Sequence, residues 1–449
     1  MMAAVRQGSA GRRWVINEYG GNRRGGILAH MRVLYVFLIT LAGLILWPVM
    51  WVKGWRNPAY RGRVTERFGY IPRVEGGVSV WVHAVSVGEV MAALPLIRAL
   101  VARHGPGKVC VTTTTPTGSA QVRAQLGGQV RHCYAPIDVH SVVIRFLDRL
   151  QPRQVVIMET ELWPTLFRRL RMRGIPITIA NARLSPRSVK GYGRMPRFAR
   201  SVLADVTLVA AQSAPDAERY RRLGAPQVQA LGNLKFDIAP QPDQCRAGGN
   251  IKAGWGARPV WIAASTHEGE ESAALRIHQR LLQRWPDAVL LVVPRHPPRF
   301  DDVQAQIEAS GLPWARRCQM DLHTPPPPVL LGDSMGEMWF YLTLSDIAFV
   351  GGSLVPIGGH NVLEPAALGL PVLFGPHMHN FEFARDLLLG AGGARQVADE
   401  AALETALADA LADADRRRRM GAAALASLAA HQGALQRTLE ALIAQQRAP

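Results

Sequence analysis

Three short segments in the first half of the chain hold the residues best suited to acid–base and ion-pair chemistry. HAVSVGE, residues 83–89, joins an apolar run at 78–83 to a helical pattern at 89–103. In a parallel sheet, ligands gather at strand carboxyl ends, where helix N-termini also point, so Glu89 is placed to present its carboxylate to a crevice. The same position suits a glutamate that merely offsets the helix dipole. Ser86 offers a different chemistry, because AVSVG approximates the GxSxG nucleophile elbow. Ala84 stands where that motif has Gly, and no downstream Asp and His declare themselves as partners. METELWP, residues 158–164, puts Glu159 and Glu161 two positions apart, on one face if the segment is extended. Two carboxylates with no basic neighbour are costly to bury, which points to function or to a solvated loop mouth. In GNLKFD, Lys235 follows an apolar run at 227–231 and can neutralise an anion, as can any solvated surface lysine.

The second half carries glycine-bearing turns suited to phosphate. VPRHPPRF places Arg295 and His296 directly after a strand, in a proline-stiffened turn. GDSMGE, residues 332–337, leads from a strand into a helix whose first N–H groups lack intrahelical partners and can hold a phosphate. GGSLVPIGGHNVLEP, residues 351–365, follows another strand. There Gly351, Gly352, Gly358 and Gly359 allow close backbone approach to a ligand, and Asn361 can cap the next helix. Glu364, one turn in, can accept hydrogen bonds from ribose hydroxyls. Glycines that only make turns explain one such pair but not two before one capped helix, so nucleotide binding is the better reading.

Several chemistries are excluded. No GxxxxGK[ST] occurs, which removes a P-loop NTPase, and no GxGxxG follows a strand, which argues against a dinucleotide oxidoreductase. The DxD of Asp413 and Asp415 lies in an Ala-rich helix beside four arginines and reads as a solvated face. His377 and His379 lack a third ligand, so no metal site is expected. With 52 Lys+Arg against 34 Asp+Glu, the net charge of +18 calls for anionic partners such as phosphates or acidic lipid. No zinc finger or RNA-binding aromatic motif accompanies it, so nucleic acid is not among them. Cys110, Cys133, Cys245 and Cys318 are far apart with no CxxC, which excludes a disulfide framework and suits a reducing compartment.

The elements that must position these residues alternate. Apolar runs at 78–83, 108–113, 155–159, 176–181 and 205–209 form one set; runs at 259–264, 288–293, 328–332, 346–350 and 370–375 form another. Helical-period segments separate them, the pattern of βαβ units. The fold class is α/β: two Rossmann-like, doubly wound parallel-sheet domains facing a cleft. The first is expected over 56–238 and the second over 251–449 with its C-terminal helices, joined by a Pro-, Gly- and polar-rich linker at 239–250. Residues 1–30 carry scattered arginines and no apolar periodicity and read as an extension. Val33 to Val52 has no charge; at ~1.5 Å per residue it reaches ~30 Å, about a bilayer core, so 31–55 is expected to be a membrane anchor helix. Lys53, Arg56, Arg61, Arg63, Arg67 and Arg73 follow it and can hold the body against anionic lipid.

In one order along the chain stand HAVSVGE, TTTTPTGS (112–119), METELWP, NARLSPRS (181–188), LGNLKFD, STHEGEE (265–271), VPRHPPRF, GDSMGEMW and GGHNVLEP. This series resembles the 3-deoxy-D-manno-octulosonic acid (Kdo) transferases of Gram-negative bacteria, from about Met31 to about residue 440. Residues 1–30 match no part of that pattern. The resemblance implies a GT-B fold, with the acceptor at the N-terminal domain and the nucleotide sugar at the C-terminal one. It implies inverting transfer of Kdo from CMP-Kdo to lipid IV-A, with no metal or other cofactor. By resemblance Glu89 is the catalytic base, and Glu159 and Lys235 form a transition-state-stabilising pair. Pro294, Arg295, Met335, Gly336, Glu337, Asn361, Val362, Leu363 and Glu364 resemble the CMP-contacting segments. The implied location is the bacterial inner membrane, with one N-terminal anchor against anionic lipid and the catalytic domains on the cytoplasmic side.

Overall fold

The apolar runs form strands because a parallel sheet flanked by helices buries both of its faces and tolerates little polar alternation. In the computed structural model, which describes residues 23–56, 60–320 and 324–447, they build two seven-stranded sheets. The chain divides into two compact units, one running to Asp237 and resuming at Gly433, the other spanning Ile238–Gln432.

In the first unit, β1 (Val78–His83), β2 (Val109–Thr113), β3 (Arg131–Tyr134), β4 (Pro152–Met158), β5 (Ile177–Ala182), β6 (Leu208–Ala211) and β7 (Val228–Ala230) lie in the order β3-β2-β1-β4-β5-β6-β7. Every pairing is parallel. Trp81 packs among Phe146, Phe167 and Tyr220 on one face, while Val80 and Val82 meet Leu96, Ile97 and Val111 on the other. The chain order reverses between β1 and β4, so a ligand crevice is expected at the carboxyl ends of those two strands.

The last helix, Ala434–Arg447, belongs to this first unit. Its Leu442 is buried against the second face, and Gln154 Nε2 donates to the Leu442 carbonyl at 3.0 Å. Asp237 accepts the Gly433 and Leu435 N–H groups, stapling the returning chain where the sheet ends. The boundary expected at 251–449 is therefore corrected. An amphipathic pattern shows that a helix must bury a face, not which sheet receives it.

The apolar segment lies within one helix, Arg23–Arg56, which begins ahead of Met31; the reading of residues 1–22 falls outside the described residues. Met31–Trp55, with mean hydropathy 2.3, is long and apolar enough to cross a membrane, and little of it is buried. Leu34, Phe37, Leu38, Leu41 and Ile45 are exposed along it. Its other side touches the first unit: Arg32 pairs with Asp205 at 3.2 Å, and the Tyr35 hydroxyl donates to Asp138 at 2.8 Å. This helix is suited to anchor the protein in a membrane.

In the second unit, β8 (Val260–Thr266), β9 (Val289–Pro294), β10 (Trp314–Arg316), β11 (Val329–Leu331), β12 (Ile347–Val350), β13 (Val372–Phe374) and β14 (Ala394–Gln396) lie in the order β10-β11-β9-β8-β12-β13-β14, again all parallel. Trp261, Leu290 and Phe349 fill one face; Ile262, Leu291 and Tyr341 fill the other. Here the order reverses between β8 and β12. The segment expected as a linker is largely helix, Pro242–Trp255. Pro242 occupies its first turn, where no N–H is needed. A Cβ on Gly248 would lie 2.9 Å from the Phe340 carbonyl oxygen, so that glycine admits the neighbouring helix Met338–Leu344.

Candidate active site

Glu89 sits where β1 hands over to the helix Val87–His104. The Ser86 hydroxyl caps that helix by accepting Glu89 N–H at 3.5 Å, and no histidine hydrogen-bonds to Ser86 among the described residues. The Glu89 carboxylate turns back to accept Val85 N–H at 2.9 Å, a capping box displaced by one residue. Thr114 and Thr115 both donate their hydroxyls to the Val85 carbonyl, at 3.2 and 3.3 Å, so the threonine run after β2 holds the turn from beneath. Burial pushes the Glu89 carboxyl up to about 7; Glu159 and Glu161 add to the rise, against the Val85 N–H and Lys235. An ordinary exposed capping glutamate is fully ionised at neutral pH. This one is poised to take up a proton there.

Glu159 follows β4, the strand beside β1, but its backbone is left-handed at φ 58. That conformation costs a non-glycine residue about 1–2 kcal/mol. It turns the chain, so Glu159 and Glu161 do not share one face of an extended segment as expected. Glu161 accepts Trp163 Nε1–H at 2.7 Å, whereas Glu159 meets Lys235 Nζ at 3.2 Å. The lysine is 44% exposed, so the pair contributes orientation more than stability. Lys235 is carried by the 3-10 turn Leu234–Phe236, pinned by buried Leu234 and Phe236. Asn181, also left-handed at φ 53, accepts Leu234 N–H at 2.9 Å through Oδ1. Asn233 accepts Lys235 N–H at 3.0 Å. The structure thus brings Glu89, Glu159 and Lys235 to one edge, with Asn181 as a holder that the sequence reading did not single out.

In the second unit the expected nucleotide segments follow β9, its neighbour β11, and β12, which lies beyond β8. Pro294 ends β9 and Arg295 N–H donates to the Thr266 carbonyl at 3.1 Å, beside β8. Met335, Gly336 and Glu337 follow β11 on the far side of β9. Glu337 pairs with Arg317 at 3.4 Å and accepts the Ser334 hydroxyl; the Gly336 carbonyl accepts Gln244 Nε2–H at 2.7 Å. Asn361, Val362, Leu363 and Glu364 follow β12, with Asn361 Oδ1 accepting Leu363 N–H and its Nδ2 donating to Glu364, both at 3.1 Å. Burial raises the Glu364 carboxyl, opposed by Asn361 and Arg295. Two histidines missed in the sequence join this group. His267 and His360 stack with their rings 6° from parallel, and their Nε2 atoms lie 2.8 Å apart, within hydrogen-bond distance. Burial, aided by the nearby Arg295, pushes the His360 imidazole down to about 4, so it is neutral at pH 7. The STHEGEE and GGHN motifs carried the signal, one histidine in each. Asp413 caps the helix Ala414–Ala429 through Arg416 N–H at 2.8 Å, which accounts for the DxD without a metal.

Known proteins place this geometry in a family. A family model described as 3-Deoxy-D-manno-octulosonic-acid transferase (kdotransferase) matches residues 62–238. The chain is 39% identical over 420 residues to the 3-deoxy-D-manno-octulosonic acid transferase of Haemophilus influenzae, covering 92% of this chain and 98% of that one. It is 39% identical over 428 residues to the enzyme of the same name from Bordetella pertussis, covering 91% and 98%. Among solved structures, the UDP-GlcNAc 2-epimerase of Neisseria meningitidis bound to UDP-GlcNAc covers 82% of this chain and all of its own, with TM-score 0.53 and 15% identity. At that identity the likeness is of fold alone, and it agrees with two doubly wound domains of GT-B type. With such identity sustained over nearly the full length of two curated enzymes, the chain belongs to the 3-deoxy-D-manno-octulosonic acid (Kdo) transferases and is a glycosyltransferase.

Proposed function

We propose that the protein transfers Kdo from CMP-Kdo to lipid IV-A with inversion at the anomeric carbon, and that Glu89 is the base. The observation that carries this reading is the Glu89 carboxyl itself, anchored on Val85 N–H and held near neutrality at the carboxyl end of β1. In the reaction so read, Glu89 takes the proton of the acceptor's primary hydroxyl as that oxygen attacks the anomeric carbon from the face opposite CMP. The bond to the CMP phosphate breaks, and the electron pair leaves with the phosphate oxygen. Arg295 and the N–H groups of the turns at 335–337 and 361–364 are the groups suited to that growing negative charge. Lys235, oriented by Glu159, lowers the cost of keeping Glu89 ionised. Glu364 receives ribose hydroxyls. No step in this scheme calls for a metal, so transfer in the presence of a chelator should match transfer without it.

The apolar helix is read as the anchor that keeps the enzyme on the cytoplasmic side of an inner membrane, where both substrates carry negative charge and the +18 protein attracts them. Deleting residues 1–53 should release the protein from membranes at high salt; continued pelleting there would remove the anchor role. The reaction is tested by incubating purified protein with CMP-Kdo and lipid IV-A and weighing the lipid by mass spectrometry. A gain of one or more Kdo masses with release of CMP is expected. An unchanged lipid, or thermal protection by UDP in place of CMP, overturns the reading.

A further inference from the structure

The glycine loop after β12 looks, from its sequence, like a nest left open for a ligand anion. In the structure the nest is filled from within. The N–H groups of Gly352, Ser353 and Leu354 converge, as successive amides in such turns do around anions. The anion is the carboxylate of Glu270, in the first turn of the helix Glu270–Leu282. Glu270 Oε2 accepts Gly352 N–H at 2.7 Å and His267 N–H at 3.0 Å; Oε1 accepts Ser353 and Leu354 N–H, both at 3.0 Å. The residue is 1% exposed, and among the described residues no Lys or Arg pairs with it. Its neighbour Glu271 is satisfied differently, by Arg299 at 2.9 Å.

The loop is built to accept this guest. A Cβ at Gly351 would stand 2.8 Å from Glu270 Oε2 and from the Ser265 carbonyl oxygen, and Gly352 has φ +66. The Gly352 carbonyl then accepts the N–H groups of Gly358 and Gly359, at 3.1 and 2.7 Å, which closes the loop on itself just before His360 and Asn361. The same carboxylate holds His267 N–H, and the His267 ring stacks on His360. Both routes therefore run from one buried carboxylate to the segment that carries Asn361 and Glu364.

The structure assigns Glu270 as a positioning residue of the donor site: an internal anion that sets the loop 351–359 before any nucleotide arrives, so that binding does not have to order it. This rests on the reading above that the edge bearing Arg295 and Glu364 takes CMP. Glu270→Ala empties a carboxylate-shaped hole lined by four N–H groups, and formate fits such a hole. By calorimetry far below the melting temperature, E270A should bind CMP at least about tenfold more weakly than wild type, the scale of one charge-assisted hydrogen bond. Sodium formate should restore most of that loss, sodium chloride at equal ionic strength should not, and wild type should respond to neither. E270A with wild-type affinity, or a loss that formate leaves untouched, overturns the assignment. Where E270A does not fold, E270Q fills the hole but turns an NH2 toward N–H donors. It should fold and bind CMP more weakly, and unchanged affinity in E270Q is equally fatal. Wild-type protein that does not bind CMP overturns the donor reading itself, and this assignment with it.

Discussion

The two sheets reverse their strand order at equivalent places, between β1 and β4 in one unit and between β8 and β12 in the other, yet the carboxylates at those edges are satisfied in opposite ways. Both edges carry side-chain-bearing residues in the left-handed conformation that glycine would adopt at no cost, Glu159 and Asn181 in the first unit and Ser265, at φ 56 near the end of β8, in the second. In the second, the loop after β12 opens and closes on glycine pairs, and the carboxylate buried in it, Glu270, has four N–H partners. Glu89, by contrast, has one backbone N–H and two carboxylates near enough to oppose its charge. On the proposed reading, a group that must change protonation state is left under-satisfied, and a frame that must receive a ligand is satisfied in advance. The difference is the one expected between a site for proton transfer and a site for binding.

The strongest way to break this comparison is to remove only the proton acceptor. Glu89→Gln keeps the size and the acceptor for Val85 N–H but takes no proton at neutral pH. Transfer should fall by about 10²–10⁴-fold, the usual contribution of a positioned base, while CMP affinity, which the proposal places in the other unit, stays at the wild-type value. In wild type, transfer should decline roughly tenfold per pH unit below about 7, because only the ionised carboxylate can act as base. That limb should be absent from the residual rate of the Gln variant. Near-normal turnover in E89Q would return Glu89 to helix capping alone.

A smaller loss is expected from the binding frame. Glu364→Gln removes a charged acceptor while keeping the Asn361 contact available through its amide oxygen. Hydrogen bonds to charged groups contribute ~1.5–3 kcal/mol, so CMP affinity should drop roughly tenfold to a hundredfold. Calorimetry showing no change would take Glu364 out of the nucleotide site. Smaller still is the effect of Lys235→Ala. Its ammonium favours the ionised form of Glu89, so without it the acid limb should move to higher pH, by less than about one unit for so exposed a lysine. A limb that stays in place would mean that the Glu159–Lys235 pair acts elsewhere.

Much of this was legible in the sequence, and the failures share a cause. β1 lies where the apolar run placed it, and β2 and β12 begin within one residue of their runs. The strands that gave no signal, β3, β10 and β14, are three of the four sheet edges. Edge strands are short and covered on fewer sides, so RHCY, WAR and ARQ need no apolar run. Glu89 and Lys235 stood out because charge beside a strand end is unusual. Asn181 did not, since an asparagine that supports a turn two strands away leaves no local pattern. Nor did Glu270: three glutamates in HEGEE look alike until the fold separates the one inside the nest from the one facing Arg299.

The smallest effect is also the most diagnostic of cause. A carboxyl pushed from its ordinary value near 4.5 up to about 7 is one whose ionised form the fold resists. The neutral form is favoured in the native state. The native protein therefore loses stability relative to the unfolded chain as pH rises from about 4.5 to about 7, and the loss is complete above that. Glu89→Gln removes the ionisation and should raise the melting temperature of the first unit by a few degrees at pH 8. The gain is tempered because the side chain is only partly shielded from water. The difference between variant and wild type should shrink as pH is lowered through 7 and vanish near 4.5. A variant less stable than wild type at pH 8 would show that the Val85 contact outweighs the buried charge, and that Glu89 is held for the helix rather than for the proton.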